Sequence, residues 1–386
     1  MDNFSYFNPT KLFFGKGQIA AISEAIPKDQ KVLVLYGGGS IKKNGVLDQV
    51  HAALAGHTFL EFSGIEPNPH YETLMKAVEL IKREGVQYLL AVGGGSVIDG
   101  TKFISAAACY EGGEPWDMIE KGITAGRALP LGCVLTLPAT GSESNTFSVI
   151  SHIGKGLKRA YGDPLTYPAF AVLDPQVTYS LPKHQVANGV VDAFVHVMEQ
   201  YMTYPAGGAV QDRYAEGLLQ TLVEIGEKVV NTADDYDSRA TFMWAANQAL
   251  NGLIGQGVPQ DWSTHMIGHE LTAVYGLDHA VSLAAVLTHN LQVNREAKRA
   301  KLLQFAARVW NISEGSEDAR IDAAIAKTAA FFESVGLKSS LKAHGIEATA
   351  ADKIVARLEA QGFTALGERQ SITPALVRTI LNRSLT

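Results

Sequence analysis

Cysteine is nearly absent from this sequence, with only Cys109 and Cys133 among 386 residues. Two cysteines cannot build a disulfide scaffold or a thiolate metal cluster, and this usage is typical of a protein from a reducing compartment. Basic residues are not in excess either, because the formal net charge is −6 and no block of Lys and Arg stands out. This charge balance argues against nucleic acid as the main partner.

Long apolar runs are missing as well. No stretch of about 18 apolar residues occurs, so no membrane-spanning helix is predicted. The first residues lack the basic segment followed by an apolar one that is typical of a secretory signal. We therefore expect a cytoplasmic protein that binds neither membrane nor nucleic acid. With 386 residues, 46% of them hydrophobic, the chain has enough apolar material for two or three domains and needs no metal merely to fold.

The spacing of apolar residues along the sequence changes near residue 181. Before that point, short β-rich apolar runs alternate with helical patterns. The predicted strands are 31–36, 58–62, 88–92, 131–136 and 170–173. Beyond residue 181, stretches with helical spacing follow one another. Strand–helix alternation predicts parallel pairing. The expected fold is an α/β domain with a Rossmann-like parallel sheet over residues 1–181 and an all-helical domain over residues 182–386.

Glycine triplets follow two of the predicted strands. Both loops read G-G-G-S, at 37–40 and 93–96. Glycines let the backbone approach a phosphate closely, and a following helix N-terminus offers N–H groups to it. Neither loop matches the strict G-x-G-x-x-G pattern, and a tight turn without a ligand is the alternative. The candidate cofactor-binding residues in the two loops are Gly37, Gly38, Gly39, Ser40, Gly94, Gly95 and Ser96.

The first glycine loop favours NADP(H) over NAD(H). Dinucleotide sites that bind NAD commonly carry an acidic residue near the end of a strand, where it grips the ribose hydroxyls. Here that position holds Gly37, and Lys42 and Lys43 follow shortly after it. A small residue with nearby cations would admit a ribose phosphate. The alternative is that the two lysines form only a solvated helix face.

Histidine and aspartate are spaced as metal ligands in the second half of the chain. Asp192 and His196 are four residues apart, which places them on one face of a helix. His265 and His269 share that spacing, and His279 follows a predicted helix break at Gly276. A carboxylate with neutral imidazoles suits Zn²⁺ or Fe²⁺, and the absence of cysteine ligands favours a catalytic site. Each pair alone could equally be a satisfied structural pair.

Five motifs stand out along the chain: G-G-G-S-V-I-D-G-T-K (93–102), T-L-P-A-T-G-S-E-S-N (136–145), L-D-P (173–175), D-A-F-V-H (192–196) and H-M-I-G-H-E-L-x-A-x-Y-G-L-D-H-A (265–280). Together they resemble the iron-containing (group III) alcohol dehydrogenases, specifically the branch of NADPH-dependent butanol dehydrogenases and aldehyde reductases. The resemblance covers nearly the whole chain. It implies the dehydroquinate-synthase-like architecture, in which an α/β dinucleotide-binding domain precedes a helical metal-binding domain.

The resemblance also implies roles for particular residues. The implied metal ligands are Asp192, His196, His265 and His279, with His269 near the site as a candidate for proton transfer. The implied cofactor contacts beyond the glycine loops are Asp99, Thr136, Leu137, Thr140, Ser142, Ser144 and Lys158. The T-L-P-A segment departs from the T-T-A-G that many members carry. Gly37 departs from the aspartate of NAD-using members, and this departure favours NADP.

The activity that the resemblance implies is reversible reduction of short- to medium-chain aldehydes by NADPH, with one divalent metal ion per subunit. A homodimer is expected, because two-fold assemblies are the commonest oligomers. One alternative keeps the fold and changes the chemistry, to an NAD-dependent polyol or glycerol dehydrogenase or a dehydroquinate-synthase-like enzyme. A more distant alternative is a nucleotide-binding protein without catalysis.

Overall fold

The chain forms two compact units, and the computed structural model describes all of its 386 residues. The sheet unit comprises Phe7–Leu181 and Ala233–Asn247. The helical unit comprises Met1–Tyr6, Pro182–Thr232 and Gln248–Thr386. Two short segments thus lie in the unit of the opposite half of the chain, and a domain boundary at residue 181 stays a prediction.

The sheet unit contains eight strands. They are β1 (Lys11–Phe14), β2 (Val32–Tyr36), β3 (Phe59–Phe62), β4 (Tyr88–Gly94), β5 (Leu131–Leu137), β6 (Phe147–His152), β7 (Leu157–Gly162) and β8 (Phe170–Leu173). Six of them form one sheet in the order β1-β8-β5-β4-β2-β3, and every neighbouring pair is parallel. Strands β6 and β7 form a separate antiparallel hairpin. The predicted parallel α/β fold is confirmed.

Six helices accompany the strands of this unit. They are α1 (Ile22–Ala25), α2 (Ser40–Lys43), α3 (Val46–Ala53), α4 (Tyr71–Glu84), α5 (Gly95–Ala107) and α6 (Trp116–Glu120). Two apolar clusters lie on the two faces of the sheet. Leu33 and Leu35 of β2 belong to one cluster, and Val32 and Val34 belong to the other. Strand β2 is fully buried, as expected for a parallel strand covered on both faces.

The strand order places two glycine loops side by side. From β2 the chain continues outward to β3, whereas from β4 it continues to β5 on the opposite side. The strand order therefore reverses between β2 and β4. In open parallel sheets, ligands bind outside the carboxyl ends of the strands at such a reversal. The loops that follow β2 and β4 are Gly37–Gly39 and the start of α5.

Nine further helices follow along the chain, and all but α9 lie in the helical unit. They are α7 (Lys183–Tyr201), α8 (Ala209–Asn231), α9 (Tyr236–Ala249), α10 (Ser263–Tyr275), α11 (His279–Val293), α12 (Arg299–Arg308), α13 (Glu317–Ser334), α14 (Ala350–Ala360) and α15 (Pro374–Ser384). Most of α9 belongs to the sheet unit. Helix α11 packs against α7, α10 and α15, and α14 packs against α10. None of the helices combines the length and the apolarity that a membrane span requires.

Candidate functional site

The first two predicted metal ligands lie on α7. Asp192 and His196 are one turn apart, and both side chains are buried. Helix α7 begins directly after Pro182, whose fixed φ of −60° suits a helix start. Burial lowers the pKa of His196 to about 4, so its imidazole is neutral at physiological pH. A neutral imidazole is the form that binds a metal ion.

Two further predicted ligands come from the starts of neighbouring helices. His265 lies in the first turn of α10, and His279 is the first residue of α11. Helix α10 ends at Gly276, which adopts φ +66°, a left-handed conformation that glycine adopts readily. This break lets the chain turn between the two helices, so that both histidines reach the same place.

One oxygen of Asp192 faces three imidazole nitrogens. The Oδ1 atom of Asp192 lies 3.7 Å from Nε2 of His196, 3.9 Å from Nε2 of His265 and 3.6 Å from Nε2 of His279. These distances exceed the hydrogen-bond range. They match the separation of about 3.4 Å between ligand atoms that each bind a tetrahedral ion at about 2.1 Å.

The donor set therefore fits a divalent metal ion. Three of its members, Asp192, His265 and His279, offer ligand atoms that all lie within 4.8 Å of one another. The ring of His196 stacks on the ring of His265 with centroids 4.7 Å apart, which adds the fourth candidate. A carboxylate with imidazoles suits Zn²⁺ and Fe²⁺ alike.

His269 lies beside this cluster. It follows His265 by one turn of α10, and its ring centroid is 5.2 Å from that of His279 and 6.1 Å from that of His265. It is half-buried, and like His196 it lies outside the group formed by Asp192, His265 and His279. The structure thus brings all five predicted residues together.

Glu199 is a further residue of this site that the sequence reasoning missed. It lies on α7 three residues after His196, and its carboxylate contacts Nδ1 of His265. The signal in the sequence is the run Asp192, His196 and Glu199 at spacings of four and three, which places all three on one helix face.

The predicted cofactor loops lie at the carboxyl edge of the sheet. Thr136 and Leu137 end β5, so they adjoin the loop after β4. Gly95 begins α5, and no side chain caps the N–H groups of its first turn. Such a helix start attracts a phosphate. This geometry fits the diphosphate of a dinucleotide.

The glycines after β4 are also required by packing. A Cβ atom built on Gly95 would lie 2.6 Å from Oγ1 of Thr140, and one on Gly94 would lie 3.0 Å from Cβ of Leu137. The loop thus lies too close to the end of β5 for a larger residue, whether or not a ligand is bound. The presence of these glycines is therefore not by itself evidence that the loop binds a cofactor.

A buried cation lies beside the start of α5. Lys158 on β7 donates a hydrogen bond of 2.9 Å from Nζ to Oδ1 of Asn68, and the N–H of Asn68 donates to Oγ of Ser96. Asn68 adopts φ +54°, a conformation that asparagine tolerates better than most residues. The three residues place a positive charge near the helix start that a diphosphate would approach.

The side chains of other predicted cofactor contacts form hydrogen bonds within the protein. Asp99 accepts hydrogen bonds from Oγ of Ser142 at 2.5 Å and from the N–H of Val149 at 2.9 Å. Lys102 is fully buried, and its Nζ donates to Ser142, Asn145 and the carbonyl of Phe147.

Burial raises the pKa of Asp99 and lowers that of Lys102 to about 8. The hydroxyl of Ser144 likewise accepts a hydrogen bond from Asn247. Binding of the cofactor by Asp99, Ser142 and Ser144 stays a prediction, since in the structure these side chains anchor their own loop.

The loop after β2 is more open. No atom lies within 4 Å of a Cβ built on Gly38, whereas one on Gly37 would lie 3.0 Å from the carbonyl oxygen of Ile65. Lys42 and Lys43 are exposed, and the ammonium of Lys42 lies 5.2 Å from the ring centroid of Tyr36. Hydrogen bonding to Tyr36 raises the pKa of Lys42. Both cations are thus available beside Ser40 at the start of α2.

Comparison with known proteins agrees with this geometry. The family described as iron-containing alcohol dehydrogenase matches residues 9–175, and its C-terminal domain family matches residues 186–384. The chain belongs to the iron-containing alcohol dehydrogenase family. The NADPH-dependent aldehyde reductase YqhD of Escherichia coli is 57% identical over 98% of this chain and 99% of its own length. The NADH-dependent butanol dehydrogenase A of Clostridium acetobutylicum is 40% identical over 90% of each chain.

Solved structures of this family have the same fold. The crystal structure of E. coli YqhD superposes with a TM-score of 0.98 at 56% identity, covering 99% of both chains. The NADH-dependent butanol dehydrogenase A of Thermotoga maritima superposes with a TM-score of 0.95 at 36% identity, over 100% of this chain and 99% of that one. The family membership and architecture that the motifs predicted are confirmed.

Removal of one imidazole tests the metal centre directly. We expect H265A to lose more than about 100-fold in affinity for Zn²⁺, because second-shell changes alone typically cost 10–100-fold. Metal content after dialysis against a chelator measures this loss. The control is H289A, since His289 lies on α11 but bonds to the carbonyl of Ser339. Full metal content in H265A would contradict the site.

Proposed function

We propose that this protein reduces short- to medium-chain aldehydes to alcohols with NADPH, and catalyses the reverse reaction, at a metal centre in the helical unit. The observation that carries the proposal is the buried carboxylate of Asp192, which faces three imidazole nitrogens at 3.6–3.9 Å. The names of the relatives in E. coli and C. acetobutylicum, an aldehyde reductase and a butanol dehydrogenase, support this substrate class.

Asp192, His196, His265 and His279 would hold the metal ion. When bound, such an ion acts as a Lewis acid that polarises the substrate carbonyl. The residues themselves place one carboxylate among three imidazole rings at a site where Asp192, His196 and His265 are buried, and electrostatic interactions are stronger there than in water. We propose Zn²⁺ or Fe²⁺ as the ion, because the donor set suits both.

The indole ring of Trp262, which lies next to the proposed metal ligands, favours apolar substrates. The ring centroid of Trp262 lies 5.4 Å from that of His265 and 6.2 Å from that of His196. The Nε1 atom of Trp262 donates a hydrogen bond to Gln260, which fixes the orientation of the indole. An indole face beside the ligands suits the alkyl chain of an aldehyde better than a chain of hydroxyl groups.

The glycine loops and the start of α5 would bind the dinucleotide. When bound, NADPH supplies the hydride for the carbonyl carbon. The N–H groups at Gly95 and Ser96 are proposed to bind the diphosphate, with Lys158 as the nearby cation. Ser40 and the exposed Lys42 and Lys43 are proposed to receive the ribose phosphate, which Gly37 leaves room for.

Aldehyde reduction also consumes a proton. We propose that His269 supplies it to the product oxygen, because its imidazole is half-buried and adjoins two of the proposed ligands without belonging to their group. Histidine suits this task because its usual pKa lies near physiological pH.

A homodimer and a cytoplasmic location complete the proposal. The first rests on the prevalence of two-fold assemblies. The second rests on the sequence reasoning alone.

An assay of substrate and cofactor preference tests the function. The purified protein is expected to oxidise NADPH with butanal, and to do so with a higher kcat/KM than it shows for NADH. Glycerol with NAD⁺ serves as the comparison, since a polyol dehydrogenase would prefer that pair. Preferred oxidation of glycerol would favour this alternative. A metal-bound protein that is inactive across a panel of aldehydes would favour a non-catalytic role.

Replacement of Gly37 tests the cofactor loop. We expect G37D to lower kcat/KM with NADPH by about tenfold or more, because a carboxylate near the ribose phosphate adds a repulsion on the order of 1–2 kcal/mol. The efficiency with NADH should fall less. G37A is the control, since it adds the Cβ near the carbonyl of Ile65 without the charge. Parallel losses with both cofactors in G37D and G37A would indicate a steric effect only.

Replacement of His269 separates proton transfer from metal binding. H269A is expected to keep its metal ion but to lose about 100-fold in kcat, within the range typical of a missing general acid. Steady-state kinetics and elemental analysis of the same preparation measure both properties. Turnover close to that of the wild type would rule out an essential role in proton transfer.

A further inference from the structure

Glu199 is a buried acid beside the proposed metal centre that the ligand set does not use. It lies on α7, one turn after His196 and two turns after Asp192, and it is 2% exposed. A buried carboxylate is costly unless hydrogen-bond donors satisfy it. The identity of those donors therefore indicates what the residue does.

All of the donors around the Glu199 carboxylate come from the first turn of α10. The N–H of Thr264 donates to Oε1 at 2.6 Å, and the N–H of His265 donates to Oε2 at 3.2 Å. The same Oε2 atom contacts Nδ1 of the His265 ring. One carboxylate thus holds both the backbone and the ring of a proposed ligand.

The backbone contacts make Glu199 a cap supplied by another helix. The residue before α10, Trp262, adopts φ +62° and provides no side-chain cap. The first N–H groups of a helix have no partner within it. Here Asp261 accepts from the N–H of Ser263 at 2.9 Å, and Glu199 accepts the next two. The first turn of α10 is therefore fastened to α7.

The ring contact decides which nitrogen of His265 faces the site. A carboxylate acceptor at Nδ1 keeps the ring proton on that atom, which leaves the lone pair on Nε2. Nε2 is the nitrogen that lies 3.9 Å from Oδ1 of Asp192. The opposite tautomer would place a proton where the metal ion binds.

Further hydrogen bonds and ion pairs hold the first turn of α10 in place. Asn290 of α11 donates to the hydroxyls of Ser263 and Thr264 at 2.8 and 3.0 Å. The buried Nζ of Lys298 lies 2.8 Å from Oδ2 of Asp261 and also bonds Glu368. The ammonium of Lys298 thus compensates the acids that surround the turn.

We propose that Glu199 is the positioning residue of the metal centre, which holds the first turn of α10 on α7 and directs Nε2 of His265 to the ion. This inference rests on the proposed function, because it assumes that Asp192 and the three histidines bind a metal. It adds a residue whose effect is on metal binding rather than on contact with the substrate.

The variant E199Q tests the proposal. Glutamine has a single acceptor oxygen, so it cannot serve both Thr264 and His265. If its NH₂ group faces Nδ1, it donates there and forces the wrong tautomer on His265. If its oxygen faces Nδ1, the NH₂ group opposes the N–H of Thr264. Either arrangement weakens the site.

The measurement is the release of Co²⁺ or Zn²⁺ to a chelator, together with the visible spectrum of the Co²⁺ form. We expect release from E199Q to be about 10–100-fold faster than from the wild type, with altered Co²⁺ bands. The matched control is E216Q. Glu216 is equally buried, on α8, but bonds to Tyr201 and Arg308 and touches no proposed ligand. E216Q should leave the spectrum and release rate unchanged.

The outcomes separate the two proposals. Wild-type release and spectrum in E199Q, with metal bound stoichiometrically by the wild type, overturn the positioning role alone. A wild-type protein that takes up no ion overturns this inference and the proposed function together.

If E199Q does not fold, nitrogen-15 NMR of the metal-loaded, histidine-labelled wild type decides the matter. A strongly deshielded Nδ1–H signal is expected for His265 and is assigned by its absence in H265A. A proton missing from Nδ1 would overturn the proposal.

Discussion

The proposed metal centre depends on one electrostatic arrangement, a buried carboxylate that faces three imidazole rings. Asp192 lies in the interior, where an uncompensated charge would be costly. Its Oδ1 atom faces nitrogens from three histidines at a spacing that suits a shared cation. Helix α7 is buried on all sides from Gly189 to Tyr201, and α10 and α11 each carry one of these histidines in the first turn.

Helix geometry made part of this site predictable. The four-residue spacing of Asp192 and His196 is local, so the sequence alone places them on one face. His265 and His269 have the same spacing, and nothing local distinguishes which of them faces Asp192. The family resemblance selected His265, and the packing of α10 against α11 puts it near Asp192 in the structure. Helix spacing also places Glu199 on the face that carries Asp192 and His196. Its role as a hydrogen-bond acceptor could not be predicted, because its donors lie on a helix that starts 64 residues later.

Whether a strand could be predicted from the sequence depended on how deeply it is buried. Four of the five strands predicted from the sequence are inner strands of the parallel sheet, where two-sided burial produces uninterrupted apolar runs, and the fifth, β3, lies at the edge. The strands that were missed lack that signal. Strand β1 is a four-residue edge strand, and the β6–β7 hairpin carries polar residues such as Ser151 and Lys158.

The glycine loops show why a motif needs its surroundings. Gly94 and Gly95 would be required by their contacts with Leu137 and Thr140 even in a protein that binds no nucleotide. The position of these glycines in the fold is what favours a nucleotide site. They lie where the strand order reverses and where α5 begins without a capping side chain. Gly37 lies on the other side of that reversal. In the proposed NADP(H) site, an acidic group at this position would repel the ribose phosphate, whereas the exposed Lys42 and Lys43 would attract it. Packing favours glycine here too, because a Cβ on Gly37 would lie 3.0 Å from the carbonyl oxygen of Ile65.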